Sequence, residues 1–359
     1  MEEKKIITKE DLTKNLEKLM EDVISGNLES IQQRVTKQLQ FSVNNYNFMT
    51  PEAKEITDNV FKTIRNFVAE SIEKMPDSKE RRKLRRLSAA SLGEHFNADQ
   101  LIKLLETSPE LKEDNSSKEI RRVFPTRLQN IFDFIFDVQQ GSFQGASNFA
   151  QFGLLCMCAN ELVAAFHLSQ HYYINQAYSH MRTVLEHLDK VRLFRTNQRW
   201  ADVWCSDDEK KIRTELSPSS VRKKLGQEKF DPLYGLFSIL GPHGTFRALQ
   251  TISAKVTKSS SDKSQFRIWI GGCSFEHNIV NLNFFLLFAV NSTILQIAQS
   301  FEELLNMDEV WEVINQCVEE DKEFMKSYII PWAKKNSFDV TPFERILNTY
   351  KVPPKDKIL

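Results

Sequence analysis

FAQFGLLCMCANELVAAFHL, running from Phe149 to Leu168, decides the fold. Glu161 is its only formally charged side chain, and the apolar residues fall on every side of a helical projection. A helix with no wet face must lie among other helices. The stretch therefore predicts a packed helical core with this segment inside it.

The neighbouring segments supply the partners. Leu128, Ile131, Phe132, Ile135 and Phe136 make a strong apolar stripe at helical spacing before it, and a second helix is expected from about Ile174 to Phe194 after it. Gly141 to Ser147 separates the first pair. A long helix is expected from about Phe275 to Leu305. Its stretch Ile279 to Ala298 is long enough to span a bilayer, but Asn281, Asn283, Asn291, Ser292 and Gln296 interrupt it, which predicts a buried core helix and no membrane contact.

Further out, Ser217-Pro218 starts a short helix ending near Gly226, and Asp231-Pro232 starts another ending at Gly241-Pro242. Phe266, Ile268 and Ile270 alternate with Arg267 and Trp269, the one convincing β pattern, and pair as a small hairpin with Ala254 to Thr257. Two or three short helices broken at Pro331 are expected to close the chain. On the N-terminal side, Leu12, Leu16, Leu19 and Val23 form one amphipathic stripe, and Ile56, Val60, Ile64, Phe67 and Val68 form another behind a Thr50-Pro51 cap. Met75-Pro76-Asp77 is a helix stop. ELKEDNSSK, Glu110 to Lys118, reads as a linker.

The expected fold is all-α: a helical bundle with a small β-hairpin excursion and an N-terminal helical extension. The expected divisions are 1–109 for the N-terminal amphipathic helices, 110–123 for the linker, 124–305 for the bundle core and 306–359 for a C-terminal helical tail. Gly and Pro number only 11 each in 359 residues, which favours long elements over short strands and tight turns.

Composition narrows the function. The 48 basic and 48 acidic side chains cancel, which argues against a protein that coats nucleic acid or anionic lipid through bulk charge. Five scattered cysteines without a CxxC read as reduced thiols, and MEEKKIITKEDL is no secretory leader; the expected location is cytoplasmic. No GxGxxG, GxxxxGK[ST] or GxSxG occurs, and Cys156 and Cys158 sit where apolar surroundings suppress thiolate formation. His167, His171, His180 and His187 lie close in sequence but lack HExxH or ExxH spacing, so neither metal nor cofactor is expected. ERRKLRR, Glu80 to Arg86, reads as a solvated helix face rather than a nucleic-acid groove, since aromatic residues are absent from it.

NQAYSHMRTVLEHLDKVRLF, Asn175 to Phe194, carries the candidate chemistry. Arg182 and Glu186 are four apart and share a face beside Ala177, Met181, Val184, Leu185 and Leu188, so an ion pair at a helix–helix contact is expected. Arg182 and His187 also form an R-x4-H spacing, which is similar to the signature of HEPN ribonucleases. In that family an Arg and a His from two protomers cleave RNA without metal. Imidazole serves as acid or base at neutral pH, and guanidinium stabilises the charged phosphorane.

Downstream, Tyr234-Gly-Leu-Phe-Ser238-Ile-Leu-Gly-Pro-His243 places a His just past a helix end. In order and pattern, residues of about 125 to 305 resemble a broad group of bacterial all-helical proteins related to HEPN-like bundles. That resemblance implies a polar pocket inside the bundle lined by Arg182, Glu186, Tyr234, Ser238 and His243. Two functions follow. One is a bacterial, defence-related interaction or regulatory protein that binds a protein partner or its own copy. The other is a metal-independent HEPN-like ribonuclease, a toxin or antiviral effector acting on RNA through Arg182 and His187.

Overall fold

A computed structural model describes residues 49–91, 115–141, 145–171, 173–227, 253–256, 265–268, 276–335, 337 and 339–349. The chain divides between Leu92 and Gly93 into two units. The first holds α1 (Pro51–Glu73) and α2 (Lys79–Ser91). Thr50 caps α1, its side chain accepting from the Ala53 amide at 3.3 Å, and Pro51 occupies the first turn, where its missing N–H costs nothing. α1 ends before the Pro76 stop. The stripe from Leu12 to Val23 lies outside the described residues.

The second unit is a bundle. α3 (Asn115–Gln140), α4 (Ala146–Gln170), α5 (Ile174–Thr196) and α9 (Glu276–Ser300) are its long helices. Short helices α6 (Arg199–Trp204), α7 (Glu209–Glu215) and α8 (Pro218–Lys224) follow α5. Strands β1 (Ser253–Val256) and β2 (Gln265–Ile268) pair antiparallel, with Ser253 opposite Ile268; the residues that join them lie outside the described ones. After α9 come a 3₁₀ turn (Glu302–Leu304), α10 (Met307–Phe324), a π turn (Met325–Ile329), α11 (Ile330–Lys335) and α12 (Thr341–Thr349).

The all-α character follows from the apolar pattern. α4 and α5 make the most extensive helix pair, and α9 packs on α3, α4 and α5. Phe124 of α3 stacks on Phe166 of α4 at 4.6 Å between ring centroids, both rings fully buried. Each such side chain withdrawn from water contributes about 1.5–3 kcal/mol. Leu154, Leu155, Val184, Val191, Leu286, Val290 and Ile294 fill the space between these helices. α4 and Ile279–Ser300 of α9 are long and apolar enough to cross a membrane by length and composition; here they pack on each other.

Three boundaries differ from the sequence expectation. The stretch 110–123 was expected as a linker, yet from Asn115 it is the first turns of α3, with Ser116, Ser117, Ile120 and Val123 buried. The two serines are small enough to sit against α9, where the Asn283 amide lies 3.4 and 3.5 Å from their hydroxyls. The helix then runs through Pro125 without ending. The long helix expected to reach Leu305 stops at Ser300 and passes into the 3₁₀ turn. Pro331 does not break the C-terminal segment. The π turn just before it supplies a wider hydrogen-bond ring, which accommodates a residue with no N–H.

Candidate functional site

α5 presents the candidate residues along one element, so their directions follow from helical geometry. His187 lies five positions after Arg182, and at about 100° per residue the two side chains leave the helix about 140° apart. Glu186 lies four positions after Arg182, which brings them together. Arg182 Nε donates to Glu186 Oε1 at 2.9 Å, with both side chains about four-fifths covered. The expected ion pair is present.

His187 points into the protein. Its residue is 7% exposed, and neither ring nitrogen has a hydrogen-bond partner. Burial disfavours the imidazolium and the Lys190 ammonium repels it, while Glu161 and Glu186 work the other way; the net effect holds His187 below its ordinary pKa. The neutral ring is the form the fold favours. Lys190, one turn on, is also pushed down by burial, with Glu186 opposing.

The other histidines separate into different environments. His180 Nδ1 lies 2.5 Å from Glu161 Oε2 across the α4–α5 seam. The His167 and His171 rings lie 4.6 Å apart between centroids, tilted at 56°, and burial followed by the His171 charge holds His167 down. Among the described residues no three His, Cys, Asp or Glu side chains converge to hold a metal. Cys158 is fully buried, its Sγ 3.8 Å from the Val184 carbonyl, and burial raises its pKa far above the ordinary thiol value. Tyr234, Ser238 and His243 lie outside the described residues, so the pocket implied with Arg182 and Glu186 is not among them.

Among the described residues, the largest polar assembly escaped the sequence reading. Arg127 of α3 is 1% exposed and reaches α9 and α10. Its Nη1 donates to Asp321 Oδ1 at 2.6 Å and to Asn291 Oδ1 at 3.1 Å. Its Nη2 donates to the Cys317 carbonyl at 3.1 Å and to Glu320 Oε2 at 3.0 Å, and Nε reaches the same Glu320 oxygen at 3.2 Å. Asn291 Nδ2 closes the ring by donating to Asp321 Oδ2. Burial opposes the charge, but Asp321, Cys317 and Glu320 together raise the guanidinium above its ordinary pKa. Every N–H of Arg127 is used, so the assembly ties three helices and leaves no guanidinium donor for a ligand. An Arg beside the Leu128–Phe136 stripe and an Asn inside the apolar stretch Ile279–Ala298 were the available signals.

Comparisons with protein-family models, with characterised proteins and with solved structures find no match for this chain.

Proposed function

We propose that the chain is an intracellular helical interaction and regulatory protein, bacterial and defence-related, acting in the cytoplasm through a protein partner or a second copy. One observation carries the reading: among the described residues, Arg127, Arg182 and His180 of the bundle each close on a carboxylate. Arg127 is consumed by Asp321, Glu320 and Asn291, Arg182 by Glu186, and His180 by Glu161. The Arg127 and His180 pairs tie one helix to another and the Arg182 pair ties two turns of α5, whereas a catalytic site leaves donors aimed at a reacting group. The bundle shares its pattern with HEPN-like bundles, and β1 and β2 belong to a hairpin excursion from it. The described cysteines are all unpaired thiols, in keeping with a reducing compartment.

A second reading rests on His187. An imidazole with two unpartnered nitrogens, held neutral by burial, has the protonation state of a general base. In that reading Arg182 and His187 belong to a HEPN-like, metal-independent ribonuclease, which requires His187, 7% exposed here, to be uncovered and to meet Arg182 of a dimer partner rather than that of its own helix.

Incubation of the purified chain with labelled RNA in excess EDTA separates the two. The interaction reading expects no cleavage above buffer and equal growth on expression of the wild type, Arg182→Ala and His187→Ala. RNA cleavage and growth arrest by the wild type, lost in both variants, would establish the ribonuclease instead.

A further inference from the structure

α4 and α5 are tied along their length by contacts that run in opposite directions on the two helices. Ser147 Oγ donates to the Phe194 carbonyl at 3.2 Å, Cys158 Sγ approaches the Val184 carbonyl at 3.8 Å, and His180 meets Glu161 at 2.5 Å. The helices are therefore antiparallel, and this register sets His187 at the level of Leu154, one turn of α4 before Cys158. His187 stands seven positions after His180, so both imidazoles lie on one face of α5.

The seam holds no free partner for a charge on His187. The ring is buried with both nitrogens unpartnered. Lys190, Glu161 and Glu186 are the charges that act on it. Lys190 repels an imidazolium, Glu161 is engaged by His180, and Glu186 by Arg182. Gln151 Oε1, buried on α4, has no partner either, so it and the ring do not reach each other. The other helices packed on α5 bring no acceptor. α9 has no charged side chain between Asn278 and Ser300. α8 turns Arg222 to Asp189 and Lys224 to Glu215, and on α6 Arg199 lies over Trp200 while Asp202 acts on Cys205.

We propose that the α4–α5 seam is an acid-sensitive latch, in which protonation of His187 turns its ring out to water and opens the helix pair around Val184–Val191 while the rest of the bundle holds. A buried charge without a partner is unfavourable enough that the group leaves its place rather than ionise there. The way out is short, since Glu186 and Lys190, which flank His187 on the helix surface, are only partly covered. The opening stays local because α3, α9 and α10 are joined through Arg127, Asn291 and Asp321, an assembly in which α5 takes no part. The latch goes beyond the functional reading and is independent of it, holding for an interaction protein and a ribonuclease alike.

Two buried thiols separate local opening from general loosening. Cys158 reports the seam, its Sγ lying against Val184, and Cys317 reports the Arg127 assembly, to which it gives its carbonyl. The full chain and its His187→Leu, His187→Gln and His167→Gln variants are treated at pH 7.5 and 5.5 with an activated pyridyl disulfide, which reacts with thiols in mild acid. Peptide mass spectrometry follows each cysteine, and the exposed Cys205 sets the intrinsic reactivity at each pH. In the wild type and His167→Gln, labelling of Cys158 is expected to rise severalfold over that of Cys317 at pH 5.5, the ceiling for one histidine over this span being about tenfold. Neither His187 variant is expected to show the rise, and glutamine serves should leucine fail to pack. Cys158 and Cys317 rising together would mean that the whole bundle loosens, which overturns the proposal. So does no rise in the wild type, a rise that persists without His187, or one that is lost with His167.

Discussion

Arg127 and Asp321 meet at 2.6 Å with side chains 2% and 5% exposed, so α3 and α10 are joined by an ion pair almost wholly removed from water. A buried pair of this kind is unequal in its effects. Removing one partner strands the other's charge, and removing both leaves space that apolar side chains can fill. Arg127→Ala is expected to lower unfolding stability by about 3–5 kcal/mol, measured by urea denaturation. Arg127→Met combined with Asp321→Leu is expected to recover much of that loss. A double variant as unstable as the sum of its single changes would mean that Arg127 and Asp321 act independently, with no coupling between them.

The long helices were legible in the sequence, and the polar assembly was not, for one physical reason. Helix packing writes itself locally: the apolar stripe from Leu128 to Phe136 and the all-apolar Phe149–Leu168 announce buried faces within a few turns. Arg182 and Glu186 were legible as a pair because four residues fix their geometry. Arg127 finds Asn291 and Asp321 164 and 194 residues away, a juxtaposition that no local period records. The stretch 110–123 looked like a linker because Asn, Ser and Lys usually mark loops. Ser116 and Ser117 serve there as small residues under α9, and composition does not distinguish the two uses.

Thiol chemistry gives a second measurable consequence. Burial pushes the Cys156 thiol up to about 11, and burial, opposed by Arg127, pushes Cys317 up to about 12. Cys158, fully buried, is pushed further in the same direction. Cys205 is exposed. Only a thiolate that reagent can reach alkylates quickly. Among these four, iodoacetamide at pH 8 is expected to label Cys205 first, Cys156 more slowly, and Cys158 and Cys317 only as the protein unfolds, read by peptide mass spectrometry over time. Early labelling of Cys158 would contradict its place between α4 and α5.

Two glycines of the α4 region are expected to respond with opposite sign. Gly145, which precedes the helix, has φ +90° and ψ 155°, a backbone region essentially reserved for glycine. Gly145→Ala meets no atom within 4 Å but forces that conformation on a side chain, at a cost of about 1–3 kcal/mol. Gly153 lies inside the helix, and a methyl there meets Trp204 at 3.6 Å, an ordinary contact. Gly153→Ala is expected to stabilise by about 0.5–1 kcal/mol, because glycine weakens a helix interior. Thermal denaturation of both variants checks the pair, and a destabilised Gly153→Ala would place Trp204 closer than 3.6 Å.

His187 ties stability to pH. Its folded-state pKa lies below the unfolded value, first through burial and then through Lys190, so between the two values the unfolded chain binds more protons than the folded one. Its contribution is therefore complete above the unfolded pKa of about 6.5 and is lost as pH falls toward the folded value. The slope from this residue is at most about 1.4 kcal/mol per pH unit. His167 is shifted in the same direction and adds a slope of its own, which makes His167→Gln the necessary companion variant. In urea unfolding from pH 7.5 to 5, the wild type is expected to weaken steadily, and His187→Leu, with no proton to gain, is expected to weaken less. Because the ring nitrogens are unpartnered, the leucine variant forfeits no hydrogen bond and should match or exceed the wild type below pH 6. Parallel pH profiles for wild type and His187→Leu would show that His187 is not held neutral in the folded chain, and would remove the protonation state on which its role as a general base depends.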